Sequence, residues 1–151
     1  MRFRWFITAC LLQVMAGGVA TADPVPGTIT VDVLNLRAEQ GWELCALYAS
    51  AEGFPFDFAR AVQHLRVPIQ SGHASCVFSG VASGTYAISV VRDEDGTGLP
   101  VLDFLDLPKN GVGASNEARG FMGPPRFEDA RFVFKGSALR MAIKMTYRTA
   151  K

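Results

Sequence analysis

One short turn of the sequence combines acidic residues with glycines in a way that could bind a cation. This acidic turn spans residues 93–98 and reads Asp-Glu-Asp-Gly-Thr-Gly, and Asp103 follows it closely. Calcium takes about six to eight oxygen ligands, commonly carboxylates and backbone carbonyls of a tight loop. The spacing differs from an EF-hand, because Gly96 stands at the fourth position of the turn and not at the sixth. Asp93, Asp95 and Asp103 are therefore candidate calcium ligands, and the alternative is that these residues only supply turn geometry.

The acidic turn belongs to a longer segment, residues 92–127, in which prolines and glycines keep the chain irregular. A loop of this length inside a domain is usually functional or disordered. Its apolar residues favour order, and we expect Phe104, Phe121 and Phe127 to pin it to the body of the protein. The candidate ligand-binding residues of this loop are Arg92, Asp93, Asp95, Asp103, Lys109, Ser115 and Asn116.

Catalytic and transition-metal chemistry find little support in the residue types. His64 and His73 are the two histidines, and neither has a second Cys or His at ligand spacing. No nucleophile elbow, phosphate-binding loop or dinucleotide fingerprint is present. The sequence predicts that the protein is not an enzyme and needs no cofactor, with calcium as the one open possibility. A hydrolase that uses loop carboxylates such as Asp93 and Asp103 is the catalytic alternative.

The N-terminus has the pattern of an export signal. Arg2 and Arg4 precede an apolar stretch over residues 7–20, and Ala20-Thr21-Ala22 has the small-x-small form of a cleavage site. This predicts a signal peptide over residues 1–22, a single domain over residues 23–151, and a periplasmic or secreted protein. A lipoprotein signal at Cys10 is the alternative, although its apolar stretch would be very short.

The chain after the signal is nearly neutral and contains no later apolar stretch long enough to span a membrane. The chain therefore lacks the surplus of basic residues that is typical of a nucleic-acid-binding protein. We expect no integral membrane segment after cleavage, and a protein or glycan as the unknown partner. Cys45 and Cys76 remain as an even pair, which favours a disulfide in an oxidising compartment over two buried thiols.

The elements that must position these residues are mostly strands, because apolar residues recur with a period of two. The predicted strands are Thr28–Val33, Trp42–Tyr48, Leu65–Gln70, Ala74–Val81, Gly84–Val91, Arg131–Lys135 and Leu139–Tyr147. The second is apolar on both faces, which predicts a strand covered on both sides. Ser71-Gly72 predicts a turn, and Gly136-Ser137 predicts a tight hairpin.

One short helical turn is predicted after Pro55, with Asp57 as its N-cap. About seven strands with at most one short helix indicate an all-β fold, an antiparallel β-sandwich with one long ordered loop. Phe54, Phe56 and Phe58 would then close one end of the sandwich, or form an exposed binding patch.

The strand and loop after residue 84 resemble a family of exported bacterial proteins catalogued as domain of unknown function 2141. The residues that carry the resemblance are Gly84-Thr85-Tyr86-Ala87, Asp93-Glu94, Gly96, Gly98, Pro108-Lys109, Gly111, Gly113, Ser115-Asn116 and Gly123-Pro124-Pro125. The resemblance implies an immunoglobulin-like or prealbumin-like sandwich and brings no established catalytic activity. Arg92 stands where the family typically has His, and Asp95, Thr97 and Val101 replace part of its Asn-rich turn. These departures would weaken a ligand or cation held there.

These observations predict an exported, non-catalytic binding or envelope-associated module that uses the surface of residues 92–127. The two alternatives are a calcium-dependent module built on the acidic turn and the hydrolase described above.

Overall fold

The computed structural model describes residues 25–103 and 111–148, and most of its regular secondary structure is β-strand. This part of the chain contains eight strands: β1 (Gly27–Leu34), β2 (Gln40–Tyr48), β3 (Gln63–Gln70), β4 (Ala74–Val81), β5 (Gly84–Asp93), β6 (Val112–Ala114), β7 (Phe132–Phe134) and β8 (Ala138–Lys144). It also contains one helix, α1 (Phe127–Ala130), and two 3-10 turns, Phe58–Arg60 and Ser115–Glu117. The all-β prediction is confirmed. The predicted signal peptide, Phe104 and Lys109 lie outside the described residues.

The strands form two sheets. The three-stranded sheet has the order β4-β1-β8, and the five-stranded sheet has the order β3-β2-β5-β6, with β7 paired to the start of β5. All pairs of neighbouring strands are antiparallel except β1 and β8, which run parallel. The sandwich prediction is therefore confirmed, and the parallel pair is a feature that the alternation of residues could not reveal.

The main core lies between the two sheets. Ile29, Val31, Phe78, Ile88 and Val90 are fully buried there. Their alternation along each strand places every second side chain in this core. The core also holds the disulfide between Cys45 of β2 and Cys76 of β4, whose Cα atoms are 6.5 Å apart. The predicted disulfide is thus present, and it links the two sheets.

A second apolar cluster lies on the outer face of the five-stranded sheet. Because Cys45 faces the other sheet, its neighbours Leu44 and Ala46 must face outward, and both are buried. Tyr48 on the same face makes an edge-on contact with Phe54, which in turn contacts Phe127 edge-on. Segments outside the strands therefore cover this face, which explains why β2 is apolar on both sides.

Short segments largely follow the sequence predictions. The Asp57 carboxylate accepts a hydrogen bond of 3.1 Å from the Ala59 N–H and caps the first 3-10 turn. Ser71 and Gly72 form the turn after β3, both with positive φ. Phe58 is buried and Phe54 half-buried, so they act as covering residues, although they cover a sheet face and not an open end.

Two expectations about the strands are wrong. Gly136-Ser137 does not form a hairpin, because β7 pairs with β5 while β8 pairs with β1 in the other sheet. The positive φ of Gly136, 81°, belongs to a connection between the sheets. The segment 92–127 is also less irregular than expected: β5 continues to Asp93, and β6 adds three residues to the five-stranded sheet.

Candidate functional site

Asp93, the last residue of β5 and the first of the acidic turn, anchors the turn to the sheet. Asp93 is 3% exposed, and its Oδ2 accepts hydrogen bonds from the Arg66 Nε at 2.7 Å and from the Gly98 N–H at 3.2 Å. Its Oδ1 has no hydrogen-bond partner among residues 25–103 and 111–148. Asp93 is therefore directed into the protein, where it joins β3 to the turn.

Arg66 completes this anchor from β3. Its guanidinium lies 4.3 Å from the centre of the Trp42 ring and donates a hydrogen bond of 3.2 Å to the Gly96 carbonyl. Stacking of an arginine on an aromatic face adds to an ion pair because the ring face is electronegative. Arg66 thus contacts the Trp42 ring, one Asp93 oxygen and the Gly96 carbonyl together, and we call this arrangement of the turn closed.

The other two candidate calcium ligands are also engaged within the protein. The Asp95 carboxylate accepts hydrogen bonds from the hydroxyl and the N–H of Thr97, at 2.8 and 3.1 Å, which hold the pKa of Asp95 below its usual range. Asp103 forms an ion pair with Arg148. Within the described ranges no group of three or more Asp, Glu, His or Cys side chains could hold a metal ion. Calcium binding would require these carboxylates to leave their present partners.

Arg92 lies next to a buried acid that the sequence analysis did not single out. Arg92 of β5 lies opposite Glu43 of β2 in the register of the two strands. The Arg92 Nη2 donates a hydrogen bond of 3.2 Å to the Gln40 carbonyl. Glu43 is 0% exposed, and neither carboxylate oxygen has a hydrogen-bond partner in the part of the chain that the structure describes. Burial raises the pKa of Glu43 to about 7; the charge of Arg92 partly opposes this, and that of Asp93 adds to it.

Glu43 stands in an otherwise apolar stretch, Trp42–Tyr48, whose pattern indicates a core strand and not a site. The signal was the charge itself, since a carboxylate in a doubly covered strand must be buried. Perturbed pKa values are enriched at functional sites. Glu43 faces the interior of the sandwich, on the same side of β2 as Cys45, and does not line the cavity described below.

Ser115 and Asn116 hold the second half of the loop in place. The buried Ser115 Oγ accepts from the Ile88 N–H at 2.9 Å and donates to the Ala130 carbonyl at 2.6 Å. The Asn116 side chain donates to the Arg131 carbonyl at 2.7 Å, and its backbone has a φ of 57°. These bonds connect β6 to α1 and β5, so both side chains serve the local architecture; a ligand role for them stays a prediction.

The same half of the loop encloses a cavity of about 250 Å³. It lies between β6, residues 117–125 and the end of β8. The apolar part of its wall is formed by Phe56, Val112, Ala114, Met122 and Pro125. A Cβ on Gly113 would lie 2.7 Å from the Ile143 side chain, so only glycine lets β6 approach β8 this closely.

Cationic side chains line the cavity together with the apolar wall. They are Arg119, Lys144 and Arg148. Arg148 is paired with Asp103, whereas Arg119 and Lys144 form no ion pair among the described residues. Glu117 is the one carboxylate among the described lining residues. The cavity therefore combines an apolar interior with unneutralised positive charge, which suits an anionic group on an apolar body.

The most exposed apolar residues of the loop directly follow the cavity-lining Gly120. Phe121 is 95% exposed and Met122 is 90% exposed, so the expectation that Phe121 pins the loop is wrong. Phe127 does serve that role and is buried. The difference has a local cause: a Cβ on Gly120 would overlap the Gly123 carbonyl, so the chain folds back on itself and turns the two residues between these glycines outward.

Sequence reasoning missed Arg119, Lys144 and Arg148 because they come from separate segments. Lys144 lies in the exposed alternation of β8, where a lysine normally means a solvated strand face. Only the pairing of Val112 with Thr146 brings the end of β8 beside β6 and so assembles the cations.

Among the described residues, no helix has the length and apolar character needed to cross a membrane. Comparison with curated proteins and with solved structures gives no match. A family model does match residues 31–142, which include the second half of β1, all of β2 to β7 and most of β8. The chain therefore belongs to the family described as an uncharacterised protein conserved in bacteria, DUF2141.

Proposed function

We propose that this protein is an exported, non-catalytic binding module that takes a small anionic ligand with an apolar body into the cavity beside β6. The observation that carries the proposal is the pairing of an apolar wall with two cationic side chains, Arg119 and Lys144, that lack an anionic partner among the described residues. Small-molecule sites commonly have this composition, a mostly apolar lining with a few polar groups that orient the ligand.

The chemistry of the two cations favours a carboxylate or phosphate head group. Arginine offers a planar set of donors that matches a carboxylate in two parallel hydrogen bonds, and lysine adds a compact charge. The apolar wall formed by Phe56, Val112 and Met122 would receive the hydrophobic part. A volume of about 250 Å³ lies just below the usual range of about 300–1,000 Å³, which favours a small ligand.

The composition of the cavity supports a binding role over hydrolysis. Among its described lining residues there is no histidine, cysteine or serine, and Glu117 is an exposed carboxylate. Hydrolases usually build their nucleophile and base from such groups held in contact. Glu43, whose pKa is raised to about 7, faces the interior of the sandwich and does not line the cavity.

Export is part of the proposal and has two supports. The N-terminal residues have the pattern of a cleavable signal, and the disulfide between Cys45 and Cys76 suits an oxidising compartment such as the periplasm. Association with the cell envelope would follow from the same destination.

The test is a calorimetric titration of residues 23–151, which hold every described element, with octanoate as the probe. Octyltrimethylammonium, which has a similar chain and the opposite charge, is the matched ligand. We expect octanoate to bind and the cation to bind at least about tenfold more weakly, because a charged hydrogen bond contributes roughly 1.5–3 kcal/mol. Lys144→Glu and Arg119→Glu should each weaken octanoate by a similar factor.

The control is Lys135→Glu, which reverses an exposed lysine that does not line the cavity. It should leave octanoate binding unchanged. Equal affinity for the two probes, or equal loss in Lys135→Glu and Lys144→Glu, would show that the cavity does not select an anion and would overturn the proposal.

A further inference from the structure

We propose that residues 120–123, here called the tip, dock this protein on an anionic lipid surface by inserting Phe121 and Met122 among the lipid head groups. Of the tip residues, Gly120, Met122 and Gly123 also line the cavity. Phe121 does not line the cavity, so the two proposals can fail separately.

The geometry of the tip is that of a small apolar projection. Phe121 and Met122 are 95% and 90% exposed, more than any other large apolar side chain among the described residues. They are adjacent, and the chain folds back between Gly120 and Gly123. Pro125, just after the tip, is buried and ties this turn to the body. Leaving two neighbouring large apolar side chains in water is unfavourable unless another phase receives them.

The charges near the tip complement an anionic surface. Arg119 precedes the tip directly, and Lys144 lines the cavity whose rim includes Met122; both lack an ion-pair partner in the described part of the chain. The exposed Glu117 is the one nearby acid without an ion pair in the described ranges, so a positive excess remains. Two further ion pairs on α1 and its flanks are internally neutral, Arg126 with Asp129 and Arg131 with Glu128.

The size of the projection favours a lipid surface over a protein partner. A stable protein interface buries about 800 Å² on each side, far more than two side chains on a turn provide. Shallow insertion needs only an apolar group that reaches roughly 5–10 Å into the boundary between head groups and acyl chains, with cations around it. A phenylalanine and a methionine beside unpaired cations meet that requirement.

The experiment is cosedimentation of residues 23–151 with vesicles of phosphatidylcholine containing phosphatidylglycerol, and with vesicles of phosphatidylcholine alone. Residues 23–151 are used because the predicted signal peptide, residues 1–22, would itself bind lipid. We expect binding to the anionic vesicles and at least about tenfold weaker partitioning for Phe121→Ser, since one large apolar side chain is removed from the contact. Arg119→Glu should weaken partitioning by about fivefold or more, and added salt should act in the same direction.

Leu99→Ser is the matched control, because Leu99 is 62% exposed but follows the acidic turn. It should partition like the unchanged protein. Binding that is absent, insensitive to Phe121→Ser, or reduced equally by Leu99→Ser overturns the proposal. Self-association that depends on Phe121 while the vesicles remain unbound would also overturn it, and would make the tip a contact between copies of the chain.

Discussion

The two halves of the segment 92–127 differ in whether their charged side chains have partners within the protein. In the first half, at the acidic turn, Asp93 is buried against Arg66, and Asp95 is hydrogen-bonded by Thr97. In the second half, Arg119 lines a cavity together with Lys144 of β8, and neither cation has an anionic partner among the described residues. The half that looks more like a site in the sequence holds Asp93 and Asp95 by contacts within the protein, whereas the two cations at the cavity have no anionic partner among the described residues.

This contrast separates stability from binding. Charged side chains that are buried or paired in the fold contribute to the free energy of unfolding, because removing one of them leaves its partner unpaired inside the protein. Charged side chains without a partner at a cavity contribute little to the free energy of unfolding, so they remain available to bind a ligand. Substitutions near the acidic turn should therefore change stability, and substitutions at the cavity should change affinity.

The largest expected effect is a pH dependence caused by Glu43, which lies beside Arg92 and Asp93 at the base of the acidic turn. Its pKa of about 7 in the folded protein lies above the ordinary value of 4.5. Below pH 4.5 the acid is protonated in both states. As the pH rises toward 7 the unfolded chain loses its proton first, so the stability that this proton provides is lost.

We therefore expect the free energy of unfolding to fall by about 3 kcal/mol between pH 4.5 and pH 8 through this one group. Urea unfolding at several pH values measures it, and Glu43→Gln should remove that part of the slope. The exposed Glu39→Gln is the control and should keep it. Parallel pH profiles for the unchanged protein and Glu43→Gln would show that Glu43 does not titrate in this range.

The next effect in size concerns the anchor of the acidic turn. Asp93→Ala removes the buried partner of Arg66 and the acceptor of the Gly98 N–H. We expect a loss of about 2 kcal/mol in the free energy of unfolding. This is less than the value for a fully buried pair, because the Arg66 side chain is 37% exposed and can be solvated.

Chemical denaturation at pH 7 measures that loss. Asp95→Ala is the comparison within the same turn, and its effect should be much smaller because this carboxylate is exposed. If the two variants lose equal stability, burial does not distinguish the two carboxylates and the closed picture of the turn is wrong.

How far the sequence predicts this molecule depends on whether a feature is local. The alternation of Ile29, Val31 and Val33, and of the residues of β8, predicts strands because period two has a direct structural cause. The Asp57 cap and the turn at Ser71-Gly72 are local in the same sense. The cysteine count and the predicted compartment favour the disulfide, and neither depends on knowing which strands pair.

Features that depend on which strands pair could not be predicted. Gly136-Ser137 looks like a hairpin, and only the partition of β7 and β8 between the sheets shows that it is not. The three residues of β6 carry too little pattern to read as a strand. The cavity needs β6 beside the end of β8, so its cations became recognisable only once the strands had been placed.

A smaller effect on stability is expected at the cavity itself. Lys144→Glu and Arg119→Glu change exposed side chains without an ion pair in the described ranges. Their free energies of unfolding should stay within about 0.5 kcal/mol of the unchanged protein, while octanoate affinity falls. Thermal unfolding without ligand measures the first quantity. A loss as large as that of Asp93→Ala would mean that the cations serve the fold, and the contrast between the two halves would disappear.

The smallest expected effect is the response of the acidic turn to calcium. A ligand present at about 100 times its dissociation constant stabilises by roughly 2.7 kcal/mol, which is on the order of several degrees in Tm for a domain of this size. Asp93, Asp95 and Asp103 each have a partner within the protein, so binding calcium would first break those contacts. We expect the Tm of residues 23–151 in excess calcium to stay within about one degree of its value in chelator. A shift of several degrees that Asp95→Ala abolishes would show instead that the turn opens to hold the ion. Its closed arrangement would then be one of two states, and the first half of the segment would bind a ligand as the second half is proposed to do.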